Sequence, residues 1–151
     1  MILESLSTLF QRDLKRLASE IEKYKDEPSL WITEKDINNS AGNLCLHLIG
    51  NLNHFIGHVI GNSDYQRDRI FEFSGKDVPK KELLEQISKT SLVLKSVLES
   101  LQDSDLKKQY PIEVFGKPLA TGMFMIHLQG HLNYHLGQIN YHRRLVSVEA
   151  S

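Results

Sequence analysis

The sequence predicts an all-α protein, a four-helix bundle with long connections. Three observations carry this. Apolar residues recur at helical spacing in four stretches of roughly 20 to 25 residues. Segments rich in Pro, Gly, Asn, Ser and Asp separate those stretches. Only residues 110–118 alternate in a way that suits an extended piece. The 151 residues fit one domain, 1–151, and are long enough to bury a core.

The first helix is predicted over 2–25, where Ile2, Leu6, Leu9, Phe10, Leu14, Leu17 and Ile21 form one stripe, and Pro28 stops it. In the connection 26–39, Leu30-Trp31-Ile32 is expected to pack as a lid, with Trp31 a core plug rather than a ligand platform. Ser40 suits the N-cap of a second helix over about 41–60. Residues 61–78 read as loop, and Pro79 suits the first turn of a third helix that runs to about 101. A second long connection, 103–120, leads to a fourth helix from Thr121 to about 145. Connections of roughly 13 to 19 residues are too long for a minimal up-down bundle, and such segments often cover a site.

Composition narrows the function. The net charge is -1 with no basic block, so nucleic-acid binding has little support. No uncharged run approaches the ~20 residues that span a bilayer, and the N-terminal stretch, with Glu4, lacks the cationic leader of a secreted protein. A cytoplasmic location is the expectation. The single cysteine, Cys45, allows no internal disulfide; inside an apolar run it reads as a buried inert thiol.

Seven histidines stand out, all of them within 47–58 and 127–142. The two segments echo one another: His47-Leu-Ile-Gly-Asn-Leu-Asn-His54-Phe-Ile-Gly57 and His127-Leu-Gln-Gly-His131-Leu-Asn-Tyr-His135-Leu-Gly137 share six residue types in register. At ~100° per residue, His47, Asn51, His54 and His58 fall on one stripe, as do His127, His131, Tyr134, His135, Gln138 and His142. Gly50, Gly57 and Gly61 flank the first stripe, and Gly130 and Gly137 the second. Glycine inside a helix costs ~1 kcal/mol against alanine. Here it points either to close helix approach or to room for a ligand beside the histidines.

His131 and His135, four residues apart, present two imidazoles to one point, the spacing that one divalent ion needs. A third ligand has to come from another helix, and His47, Asn51, His54 and His58 are all available. Three neutral histidines suit zinc, nickel, iron or copper and leave positions open to water or substrate. Gln138, Tyr134 and Asn51 are placed to orient a histidine or a bound ligand. The competing reading is a set of core-edge histidines bonded to backbone or water, or an acid-sensing cluster. No glutamate stands between the histidines, so the zinc-protease motif is absent.

These segments resemble a known family. His131-Leu-Asn-Tyr-His135-Leu-Gly-Gln-Ile139, preceded by His127, is similar to the last helix of the DinB/YfiT-like bundles. Leu44-Cys-Leu-His47-Leu-Ile-Gly-Asn-Leu52 resembles their second helix, and Arg67-Asp-Arg-Ile-Phe-Glu-Phe73 the loop that follows it in the DUF1572-type branch. The resemblance selects His47, His131 and His135 as ligands of a divalent metal, zinc or nickel foremost. It also implies homodimers and, in some relatives, transfer of a low-molecular-weight thiol to an electrophile. On that expectation His54, His58 or Tyr134 would move a proton. Arg67 or Arg69, with Asn51 and Gln138, would bind the small molecule. Leu136 stands where many relatives carry arginine. The alternative is a non-catalytic, metal-binding or stress-linked dimeric scaffold.

Overall fold

The computed structural model describes residues 1–34 and 36–147; the last four residues of the expected domain lie outside that range. Four long helices are present: α1 (Ile2–Glu22), α2 (Ala41–Leu52), α4 (Lys80–Ser100) and α5 (Thr121–Ser147), with a short α3 (Arg69–Ser74) between α2 and α4. The all-α expectation holds, and no strand forms among the described residues. In the 103–120 connection, the extended character comes down to one antiparallel bridge between Gln109 and Ala120.

α1 packs on α4 and α5, and α2 packs on the same two helices, so α1 and α2 lie across one diagonal of the bundle. The chain crosses that diagonal through residues 23–40 and the other through residues 101–120, which is why both connections are long. Leu6, Phe10, Leu14, Leu17 and Ile21 of α1, Leu83, Ile87 and Leu94 of α4, and Phe124, Leu128, Leu132 and Ile139 of α5 fill the core. This is the predicted periodicity made physical.

α2 is different. All twelve of its residues are buried. Ser40 caps it as expected, accepting from the Asn43 amide. Trp31 lies against it so closely that a Cβ at Gly42 would sit 2.6 Å from the indole, so Trp31 is indeed a plug. A helix buried all round reads apolar all round. Its polar residues Asn43, His47 and Asn51 are buried with the rest, so they mark no solvent face.

Beyond Leu52 the helix does not continue as predicted. Asn53–His58 widen into a π-turn, with the Val59 amide reaching back to the His54 carbonyl. The Asn53 amide group donates to Ile49 O and Thr90 Oγ1, and the Tyr110 hydroxyl donates to Phe55 O.

α5 runs parallel to α1 and is fixed to it by two buried carboxylates seven residues apart. Asp13 accepts from Gln129 (2.7 Å) and Asn133 (3.1 Å), and Glu20 from Asn140 (2.8 Å) and Arg143 (2.7 Å). His142 is structural: its Nε2 donates to Ile32 O at 2.8 Å, so its Nδ1 accepts from the Tyr24 hydroxyl at 2.6 Å. The 26–39 connection is thereby held onto α5. No described helix is long and apolar enough to cross a membrane.

Candidate metal centre

The clamps on the α1 side of α5 leave its opposite face for α2. There the structure brings together His47 from α2 with His131 and His135 from α5. One nitrogen from each lies within 4.8 Å of the other two, making a group able to hold a metal ion. His131 Nε2 is 3.2 Å from both His47 Nε2 and His135 Nε2. Ligands bound at about 2.0–2.1 Å to one ion sit roughly 3 to 3.4 Å apart, so this spacing suits a shared cation.

The outer ring nitrogens decide the tautomers. His47 Nδ1 donates to Glu72 Oε1 at 3.0 Å, and His135 Nδ1 donates to Gln138 Oε1 at 2.7 Å. With their protons on Nδ1, both Nε2 atoms present lone pairs inward. His131 Nδ1 is buried with no partner. Lone pairs packed at 3.2 Å repel unless a proton or a cation lies between them. Burial, then the positive fields of His135 and His47, push His131 down to about 4. Burial also lowers His135. Histidines held neutral at ordinary pH are in the form that binds metal.

Glu72 was not foreseen. It is 3% exposed on α3 and fills the space left by Gly50: a Cβ there would meet Glu72 Oε2 at 1.9 Å. Arg67 clamps the same carboxylate, Nε to Oε2 at 2.8 Å and Nη2 to Oε1 at 3.0 Å. Burial raises the Glu72 carboxyl, but the hydrogen bonds from His47 and Arg67 outweigh it and hold it below its ordinary value. Asn43 pins α3 from below, donating to Glu72 O and Gly75 O, and the Phe73 ring lies 4.9 Å from the His47 ring.

The remaining expected residues fall elsewhere. The π-turn takes His54 and His58 off the His47 stripe. They stack on each other at 6.0 Å, and His58 Nδ1 donates to Ser63 O. Burial, then Arg67, lowers His54. Arg67 is committed to Glu72 and lies over Phe55, and Arg69 is exposed beside Phe73. Asn51 is 7% exposed with its Oδ1 unpartnered, one helical turn from His47. His127 stacks between Phe124 and His131, with Phe115 against its edge. The echo therefore joins two histidines in unlike surroundings, one covered by α3 and one exposed. A cleft of about 460 Å³ opens beside His135, lined by Tyr134, Gln138, Tyr141, Asp36 and Asn38 among others.

Of the glycines, Gly50, Gly57 and Gly61 are close-approach positions against Glu72, Val93 and Val97, while Gly130 and Gly137 face open space. The room beside Gly50 is taken by protein rather than left for a ligand.

The fold that brings one candidate ligand on the second long helix to two on the last is DinB-like. Its structure is similar to the crystal structure of a DinB-like protein from Bacillus cereus ATCC 10987, with a TM-score of 0.77, 16% identity, and coverage of 95% of this chain and 92% of that one. The chain belongs to the family described as protein of unknown function (DUF1572), whose model matches residues 2–150. No curated protein matches it.

Proposed function

We propose that the protein is a DinB-like metalloprotein that binds one divalent transition metal, zinc or nickel foremost, through Nε2 of His47, His131 and His135. One observation carries this: three inward nitrogens around one point, two of them with their outer protons fixed by Glu72 and Gln138. Iron and copper fit the same donor set.

Three ligands leave coordination open, the catalytic rather than the closed structural pattern. When bound, the ion would supply Lewis acidity, lowering the pKa of a thiol or water beside it. The cleft at His135 is where a small molecule would approach. Tyr134, 64% exposed on its rim, would give or take a proton there. The reaction proposed is transfer of a low-molecular-weight thiol to an electrophile.

A second reading, a non-catalytic metal-binding protein that pairs as a homodimer through an exposed helix face, is favoured by a specific observation. Arg67, one of the two arginines expected to bind the small molecule, is tied to Glu72, and the described cleft lining carries only one charged side chain, Asp36.

Elemental analysis of untagged protein tests the metal: about one ion per chain, lost in His47→Ala, His131→Ala and His135→Ala, is expected. Full metal retention in all three variants would sink the site. Consumption of a panel of cellular thiols with monochlorobimane separates the two readings. The enzyme gives a rate that chelation abolishes, whereas the scaffold gives none and runs as a dimer in light scattering.

A further inference from the structure

We propose that Glu72 is the positioning residue of the metal centre, seated by Gly50 and Arg67 so that it fixes His47 in the ligating tautomer; this rests on the metal reading above. The observations come from two separate stretches of chain, α2 and residues 67–75. Gly50 contributes an absence: any larger residue would occupy the place of Glu72 Oε2, 1.9 Å from where its Cβ would stand. Arg67 contributes two donors, one to each carboxylate oxygen, which leaves Oε1 directed at His47 Nδ1. Asn43 contributes the anchor, holding the main-chain oxygens of Glu72 and Gly75 against α2.

The chemistry follows from the hydrogen bond. A carboxylate that accepts from Nδ1–H keeps the proton off Nε2 and aims its lone pair, and it increases the electron density that the imidazole donates. Without it the His47 ring is free to turn about its Cβ–Cγ bond or to exchange tautomers, and either removes the donor from the point shared with His131. Arg67 balances the charge of Glu72, so the carboxylate is stable where it is buried and does not itself become the ligand. The work of α3 is thus to carry one oxygen to one histidine. A fixed carboxylate of this kind typically accounts for about 10- to 100-fold in metal affinity.

The test measures zinc affinity of the full chain by competition with a chromophoric chelator, for wild type, Glu72→Gln, Gly50→Ala and His131→Ala. Glu72→Gln keeps the shape and loses the charge. It is expected to weaken zinc about 10- to 100-fold while leaving the stoichiometry at saturation unchanged. Gly50→Ala touches no ligand, yet displaces Glu72 and is expected to weaken zinc similarly. Long-range ¹H–¹⁵N spectra of the metal-free protein add a readout that global stability does not move. His47 is expected as the pure Nδ1–H tautomer in wild type and as a mixture in Glu72→Gln. Should Glu72→Gln fail to fold, Glu72→Asp asks the same question, since it keeps the charge but withdraws the oxygen by one methylene. Wild-type affinity in folded Glu72→Gln or Glu72→Asp, with zinc lost in His131→Ala, overturns this role alone. No zinc binding by wild type overturns it together with the metal centre.

Discussion

The Tyr110 hydroxyl donates to the main-chain oxygen of Phe55 at 2.6 Å, joining the α4–α5 connection to the π-turn that ends α2. The same ring packs 4.5 Å from Phe124. Both ends of Tyr110 are therefore used: the ring for burial, the hydroxyl for a carbonyl that the widened turn leaves available. Tyr110→Phe keeps the first and loses the second. The expected cost is about 1–2 kcal/mol in denaturant unfolding, with the far-ultraviolet helical signal unchanged.

Asp13 is fully buried and accepts from Gln129 and Asn133 across the α1–α5 seam and from Arg12 beside it on α1. Asp13→Ala strands those donors. It is expected to destabilise the fold by about 3 kcal/mol or more, read as a lowered urea midpoint at unchanged slope. An unaltered midpoint would show that the seam relaxes onto water.

Glu20 gives the pH dependence. Burial raises its carboxyl, but hydrogen bonds from Arg143 and Asn140 outweigh this and lower it below the ordinary 4.5. A group whose native pKa is depressed adds stability above its unfolded pKa and loses it as pH falls through the native value. The advantage of wild type over Glu20→Gln in thermal unfolding is therefore expected to be constant near neutrality and to shrink below about pH 4.5. An advantage that grew with acid would reverse the sign.

Cys45 sits fully buried in α2, and burial pushes its thiol up to about 12. Its reaction with Ellman's reagent at pH 8 is expected to be far slower in the native protein than in urea. Rapid labelling of native protein would mean that α2 opens.

Metal removal should be visible in stability as well as in stoichiometry. An ion that binds only the folded chain adds about 2.7 kcal/mol when its free concentration is 100 times Kd. Chelation is expected to lower the melting temperature of wild type and to leave that of His131→Ala where it is.

Much of this was legible in the sequence. The 3.6-residue stripe of α1, the cap at Ser40, the plug at Trp31 and the pairing of His131 with His135 are local, so they need no tertiary knowledge. The selection of His47 was not: helical projection offered four residues on the predicted second helix, 41–60, and the family resemblance chose among them. The π-turn was illegible because a projection at fixed angle cannot register a wider turn, and so it kept His54 and His58 on the His47 stripe. Glu72 was missed for another reason. Its segment is too short for a period to show, and its partner lies 25 residues away. The one clue was Gly50, a glycine in a helix too apolar to spare it; the sequence left open whether ligand or protein filled the gap.

The two carboxylate clamps hold α5 from the side opposite its histidines, which separates two jobs within one helix. A slip of α5 by one turn, about 5.4 Å, would carry Gln129 and Asn133 away from Asp13 and Asn140 and Arg143 away from Glu20. The seam thus acts as a vernier: it fixes the height at which His131 and His135 meet α2 without touching either. For engineering, the ligand edge of α5 is free to be rewritten, to cysteine or carboxylate for a different ion, while the clamp edge keeps the alignment.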